Sequence, residues 1–247
     1  MKLEVFAVEG LPELRAGDDL AALISSNTEL ADGDIVVVAQ KAVSKVEDRF
    51  ADPASVTPSP RAIELARQTE KDPAQVELII SESHEVLRAA PGVLIVETLH
   101  GFVCANAGID NSNVPGEDRV LLLPKDPDAS ARGLRAELQE STGAQLAVIV
   151  TDSFGRAWRT GQSDIAIGCA GIDPLLDLRG QNDSNGRELN ASIQAVADEL
   201  AAASDLARSK ASGHPVVVIR GRGDLVIAED GPGAVASLRE HAQDLFR

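Results

Sequence analysis

A chain of 247 residues has room for one large domain or two small ones, and its 44% hydrophobic content is enough for a sizeable core. With only 2% aromatics and a net charge of −16, it lacks the stacking platforms and basic density that nucleic acids require, and the basic density that anionic membrane surfaces require. A nucleotide ligand stays open, because a metal ion and a few local cations offset a global field.

In chain order, residues 3–8 read as a short strand ended by the Gly10-Leu11-Pro12 turn. Residues 18–25 read as a helix, and ADGD at 31–34 leads into a strand at 35–39, which QKAVSK at 40–45 then leaves. Residues 52–60 form a Pro- and Ser-containing loop. Ser59-Pro60 starts one helix, with Ile63 and Ala66 inward. Asp72-Pro73 starts a second, whose apolar stripe is Val76, Ile79, Ile80 and Leu87 and whose end is Pro91-Gly92. Strands are predicted at 93–98, 100–105 and 120–123, then a helix capped by Asp128 and closed by Gly143. A strand at 146–150 enters TDSFGR, and within the Gly-, Asp- and Asn-rich stretch 160–187 the segment 165–171 is the ordered piece. The longest helix is expected at 189–207, with Ile193, Val196, Ala197, Leu200 and Ala207 on one face. A strand at 215–220 and a helix near 233–245 complete the chain. Strands and helices mix without strict alternation, which predicts an α+β fold with mixed sheets.

The chemistry concentrates in two short runs, NAGIDNSN at 106–113 and TDSFGR at 151–156. Each sets an Asp among small polar residues where a strand ends. Hard cations take oxygen ligands, so Asp110 and Asp152 are candidate Mg²⁺ or Mn²⁺ ligands, with Ser153 adding a hydroxyl to a shared ion. The competing reading for each Asp is an Asx-turn. Lys41 and Lys45 follow a strand and offer point charges for a phosphate, or are solvated surface lysines. Arg156 and Arg159 either grip an anion or pair with local acid. Walker, dinucleotide-binding and nucleophile-elbow patterns are absent, and His84, His100, His214 and His241 read as surface or structural. Cys104 and Cys169 show no CxxC spacing and read as reduced core residues. No apolar run approaches the roughly 18 residues of a membrane span, and no signal peptide is recognisable, so a cytoplasmic protein is expected.

The runs LEVFAVEGLPEL, DGDIVVVAQKAVSK, GFVCANAGIDNSNV, VIVTDSFGRAWRTGQSDIAIGCAG and PVVVIRG, in this order, resemble the coenzyme F420:L-glutamate ligase (F420-0:γ-glutamyl ligase) family. The resemblance covers nearly the whole chain, as the ligase module alone. It implies two intertwined α+β subdomains that assemble as a homodimer. It further implies GTP-dependent addition of L-glutamate to coenzyme F420-0, through an acyl phosphate, with Mg²⁺ or Mn²⁺ (two divalent ions) and K⁺. Carried over residue by residue, the metal ligands fall on Asp110, Asp152 and Ser153. The nucleotide contacts fall on Leu11, Pro12, Glu13, Leu14, Gln40, Ser44, Lys45, Asn113 and the 207–214 loop, where Lys210 and Gly213 align. The alternative activity for the same acid pair is a two-metal nucleotide phosphohydrolase, and a third reading is a catalytically silent nucleotide-binding module.

Overall fold

A computed structural model describes residues 2–110, 119–208 and 213–245. The first strand, β1 (Glu4–Ala7), is followed by α1 (Leu20–Asn27), whose first turn is capped by Asp19 accepting the Ala22 N–H at 2.8 Å. The β-branched run of β2 (Ile35–Ala39) passes directly into α2 (Gln40–Val46). A short β3 (Phe50–Ala51) precedes α3 (Pro60–Thr69) and α4 (Pro73–Ser81), which are capped by Ser59 and Asp72 and carry proline in the first turn, as the sequence predicts. Next come β4 (Ser83–Ala90), β5 (Val93–Thr98), β6 (Val103–Ala105) and β7 (Val120–Leu121). The second half holds α5 (Pro127–Thr142), the long hairpin β8 (Ala147–Arg156) and β9 (Arg159–Ala170), the small hairpin β10 (Leu176–Asp177) and β11 (Ile193–Gln194), α6 (Val196–Ala207) and β12 (Val216–Arg220).

The fold is α+β with mixed sheets. Five strands form the central sheet in the order β1-β12-β2-β8-β9, and only the β2–β8 pair is parallel. Alternation along the inner strands divides the core in two. Val36, Val38, Val148 and Val150 face Ile24 of α1 and Leu134 and Leu138 of α5. Ile35, Val37 and Ile149 face Val196 and Leu200 of α6. Each such side chain contributes about 1.5–3 kcal/mol by leaving water. A separate antiparallel sheet, β4-β5-β6, packs Leu94 and Val96 against Ala62 and Ala66 of α3 and Val76 and Ile79 of α4. The first turn of α5 lies so close to β9 that a Cβ on Gly168 would fall 2.2 Å from the Pro127 carbonyl oxygen.

Several expected boundaries are corrected. The second capped helix stops at Ser81, and Leu87 belongs to β4, because pairing with β5 satisfies that backbone instead. The cap of α5 is Asp126, which accepts the Ala129 N–H at 2.8 Å. Asp128 turns inward and accepts the N–H groups of Cys169 (2.8 Å) and Ala234 (2.7 Å), tying the C-terminal segment to the sheet. The longest helix among the described residues is α5, with 16 residues. The helix expected at 189–207 starts only at Val196, and Ile193 lies in β11. Near the C-terminus the expected helix is replaced by 3-10 turns at Ala234–Ser237 and His241–Gln243. TDSFGR does not end a strand: β8 runs through it to Arg156 and turns back at Ala157-Trp158. Trp158 sits at that tip with φ 64° and is 87% exposed. Cys104 and Cys169 are buried free thiols, as expected.

Candidate active site

Pairing between β2 and β8 stops at Ala39–Thr151, where β2 gives way to α2 while β8 continues. Beyond that point β8 is paired on one side only, with β9. The carboxyl end of a parallel pair is where open sheets leave a crevice. Here the crevice is a cavity of about 890 Å³, walled by the 12–14 turn, α2, the 104–110 segment, the β8–β9 ribbon and the end of α6.

The free edge of β8 serves both faces of the sheet. On one face Asp152 lies with Asp110, Lys41 and the Cys104 thiol. Asp110 is brought there by an unusual turn: Asn106, Ala107 and Gly108 all have left-handed φ (54°, 55° and 68°), swinging the chain out of β6. Paired backbone hydrogen bonds with Leu121, at 3.0 and 2.9 Å, then pin Asp110. Its carboxylate meets Lys41 Nζ at 2.5 Å. Burial, reinforced by the negative charges of Asp164 and Asp110, pushes the Asp152 carboxyl up to about 7, against the opposing Ser153 backbone N–H and Lys41 ammonium. Burial, with Asp152 nearby, likewise pushes the Cys104 thiol up to about 12, so it is no nucleophile at neutral pH.

On the other face Thr151 and Ser153 point toward α6. Ser153 Oγ donates to Asp164 Oδ1 at 2.6 Å, and Thr151 Oγ1 donates to Asp164 Oδ2 at 3.1 Å. Asp164, opposite Ser153 in the hairpin register, also pairs with the guanidinium of Arg208, which donates to Thr151 Oγ1 at 3.0 Å.

Pro12, Glu13, Leu14, Gln40, Lys45, Asp110, Asp152, Ser153 and Gly213 all border this one cavity. Leu11 does not; it packs against the core beneath. Ser44 is fully buried behind the wall and donates to Gln40 Oε1 at 2.8 Å. That bond fixes the Gln40 amide, whose buried Nε2 has no acceptor among the described residues. Lys45 pairs with Glu13. Asn113 and Lys210 lie outside the described residues. Arg156 and Arg159 stand away from the cavity on the exposed ribbon, where Arg156 Nη2 donates to Thr160 O at 3.0 Å. His214 lines the cavity, whereas His100 meets Pro124 O at 2.9 Å and His241 meets Glu97 at 3.2 Å. Asp164 and Asp205 are wall residues outside the two short acidic motifs, and Thr151 opens the second of them without being a candidate site residue there.

Charge balance decides what the cavity accepts. Five carboxylates (Glu13, Asp110, Asp152, Asp164 and Asp205) face three permanent cations (Lys41, Lys45 and Arg208) among the described residues of the wall. Among the described residues a phosphate chain would meet more carboxylates than permanent cations, an imbalance that a bound cation would offset. Among the described residues no three His, Cys, Asp or Glu side chains close a cage by themselves. The set of two carboxylates and hydroxyls fits a hard ion that keeps water or phosphate oxygens in its shell, as Mg²⁺ does.

Comparison with known sequences supplies the kinship. The sequence model of the F420-0:Gamma-glutamyl ligase family matches residues 10–221. The coenzyme F420:L-glutamate ligase of Methanothermobacter thermautotrophicus is 45% identical over 253 residues, covering 100% of both chains. That of Methanopyrus kandleri is 42% identical over 250 residues, covering 99% of each. The Haloarcula marismortui ligase is 47% identical over 225 residues, with 88% of this chain and 87% of its own covered. Both site motifs fall inside the matched span, and the chain belongs to the F420-0:γ-glutamyl ligase family.

Proposed function

We propose that this protein ligates L-glutamate to coenzyme F420-0 at the expense of GTP, forming F420-1 and γ-linked longer tails. The carrying observation is the convergence of both acidic motifs, the 12–14 turn, Gln40 and Lys45 on one cavity of about 890 Å³, room for a nucleotide beside a second substrate. Gln40 Nε2, anchored through Ser44, donates to a nucleotide acceptor, and Lys45 exchanges Glu13 for a phosphate oxygen. Asp110, Asp152 and Ser153 would hold the divalent cations, which would supply charge neutralisation for the transferring phosphoryl group. Lys41, which pairs with Asp110, would be available to the anionic substrates once Asp110 served a cation. The acceptor carboxylate takes the γ-phosphoryl group to give an acyl phosphate and GDP; the glutamate amine then attacks the acyl carbon, forming the amide and releasing phosphate. No protein nucleophile is needed, since the substrates supply carboxylate and amine. A homodimer, K⁺ dependence and a cytoplasmic location complete the reading, and no helix among the described residues is long and apolar enough to cross a membrane.

Incubation with GTP, Mn²⁺, L-glutamate and F420-0, read by mass, tests the proposal. Glutamate additions to the acceptor, matched by GDP, support it. GTP loss that is indifferent to glutamate and acceptor replaces it with the two-metal phosphohydrolase, and binding without turnover with the silent module.

A further inference from the structure

Asp164 is 3% exposed and lies outside the two short acidic motifs. Its carboxylate collects three donors: the hydroxyls of Ser153 and Thr151 and the guanidinium of Arg208, itself 7% exposed. A hydroxyl has one proton and two lone pairs. Ser153 spends its proton on Asp164, so both lone pairs of its Oγ remain for the cavity that Ser153 lines. Thr151 spends its proton likewise but receives Arg208, which commits one lone pair. The two hydroxyls of the same strand face therefore differ: one is left as an acceptor, the other is locked into the wall. Arg208 offsets the buried charge of Asp164 and, through Nη1 at 3.4 Å from Pro215 O, ties it to the far side of the 209–212 segment.

We propose that Asp164, backed by Arg208, is a positioning residue that turns Ser153 Oγ into an obligate acceptor for a divalent cation. The inference rests on the reading of Ser153 as a cation ligand. An outer partner of this kind changes metal affinity by tenfold or more when lost. In Asp164→Asn the amide presents an N–H to one hydroxyl or to Arg208, so either the Ser153 lone pair is consumed or the guanidinium is left facing a donor.

The test is a double-mutant cycle on full-length protein, with Mn²⁺ as probe and free Mn²⁺ read by electron paramagnetic resonance. S153A, D164N and S153A/D164N are compared with wild type, with ligation kinetics in parallel. The expected result is a tenfold or greater loss of Mn²⁺ affinity in each single variant and no further loss in the double variant, because Asp164 acts through Ser153. Losses that multiply, or a D164N protein with wild-type Mn²⁺ affinity beside an impaired S153A, overturn the positioning role alone. An S153A protein with unchanged affinity overturns the cation-ligand reading itself, and the positioning role with it. Should D164N fail to fold, D164N/R208Q removes both charges together and leaves none buried without a partner. That variant is expected to fold and to bind Mn²⁺ at least tenfold more weakly; wild-type affinity in it refutes the proposal.

Discussion

Replacing Asp152 by Asn is expected to stabilise the metal-free protein while abolishing ligation. In the folded chain the carboxyl titrates at about 7, raised chiefly by burial from the ordinary 3.8. The folded protein thus holds a proton that the unfolded chain has already released. The stability tied to this group is complete below about pH 4, falls as pH rises toward 7, and is gone above it. The interval between 3.8 and about 7 corresponds to at most about 4 kcal/mol. Asp152 is partly open to the cavity, and water there reduces the cost to about 2 kcal/mol. For a chain of this size, that is a Tm gain of roughly 4–8 °C for D152N at about pH 8 in chelator, shrinking toward about pH 4.5. Mn²⁺ reverses the order, because only wild type gains stability from binding it. Thermal melts followed by far-ultraviolet circular dichroism, in chelator and in Mn²⁺ at both pH values, provide the measurement. A D152N protein melting at or below wild type at pH 8 in chelator, or gaining equally at pH 4.5, refutes the reasoning.

Gln40→Met should raise the KM for nucleotide about tenfold, since it removes the Nε2 donor, and should also lower Tm, since the fully buried Ser44 hydroxyl loses its Oε1 acceptor; an unchanged KM places the nucleotide elsewhere. Gly168→Ala should destabilise by about 2 kcal/mol or more, because the added Cβ must displace the first turn of α5 from β9, and a denaturation midpoint equal to wild type would contradict that packing. Both thiols are pushed up to about 12, so neither Cys104 nor Cys169 should react with iodoacetamide at about pH 8 in native protein, and both should react in denaturant. Rapid native labelling of either, read by intact mass, would show that its cover opens.

The sequence was most legible where local chemistry and tertiary packing agree. Ser59 and Asp72 start helices because their side chains satisfy free N–H groups regardless of what lies further along the chain. Leu87 misled because it continues the helical spacing of Val76 and Ile80, while long-range pairing with β5 decided its conformation. At the other end, Ile193 fits the face of α6 by spacing alone, yet its backbone is taken by β10. In the site, the acids of the two motifs reached one cavity, but their relation to Ser153 was hidden. Adjacent residues of an extended strand serve opposite faces, and only the continuation of TDSFGR as a strand reveals that Asp152 looks toward Asp110 and Ser153 toward Asp164. Asp164 lies in a family run but outside the two short acidic motifs, and its role was hidden because it depends on a hairpin register whose turn places a Trp in a left-handed conformation, a choice turn rules do not favour.

The exposed Trp158 has an optical consequence. The chain has no Tyr and no other Trp, so its ultraviolet emission comes from one indole at the tip of the β8–β9 ribbon. That indole is 87% exposed already in the folded protein, and unfolding changes its solvation little. Intrinsic fluorescence is therefore nearly blind to the melting of both cores. It reports instead on whatever approaches the ribbon tip, be it a second chain or a quencher, and does so without an added dye.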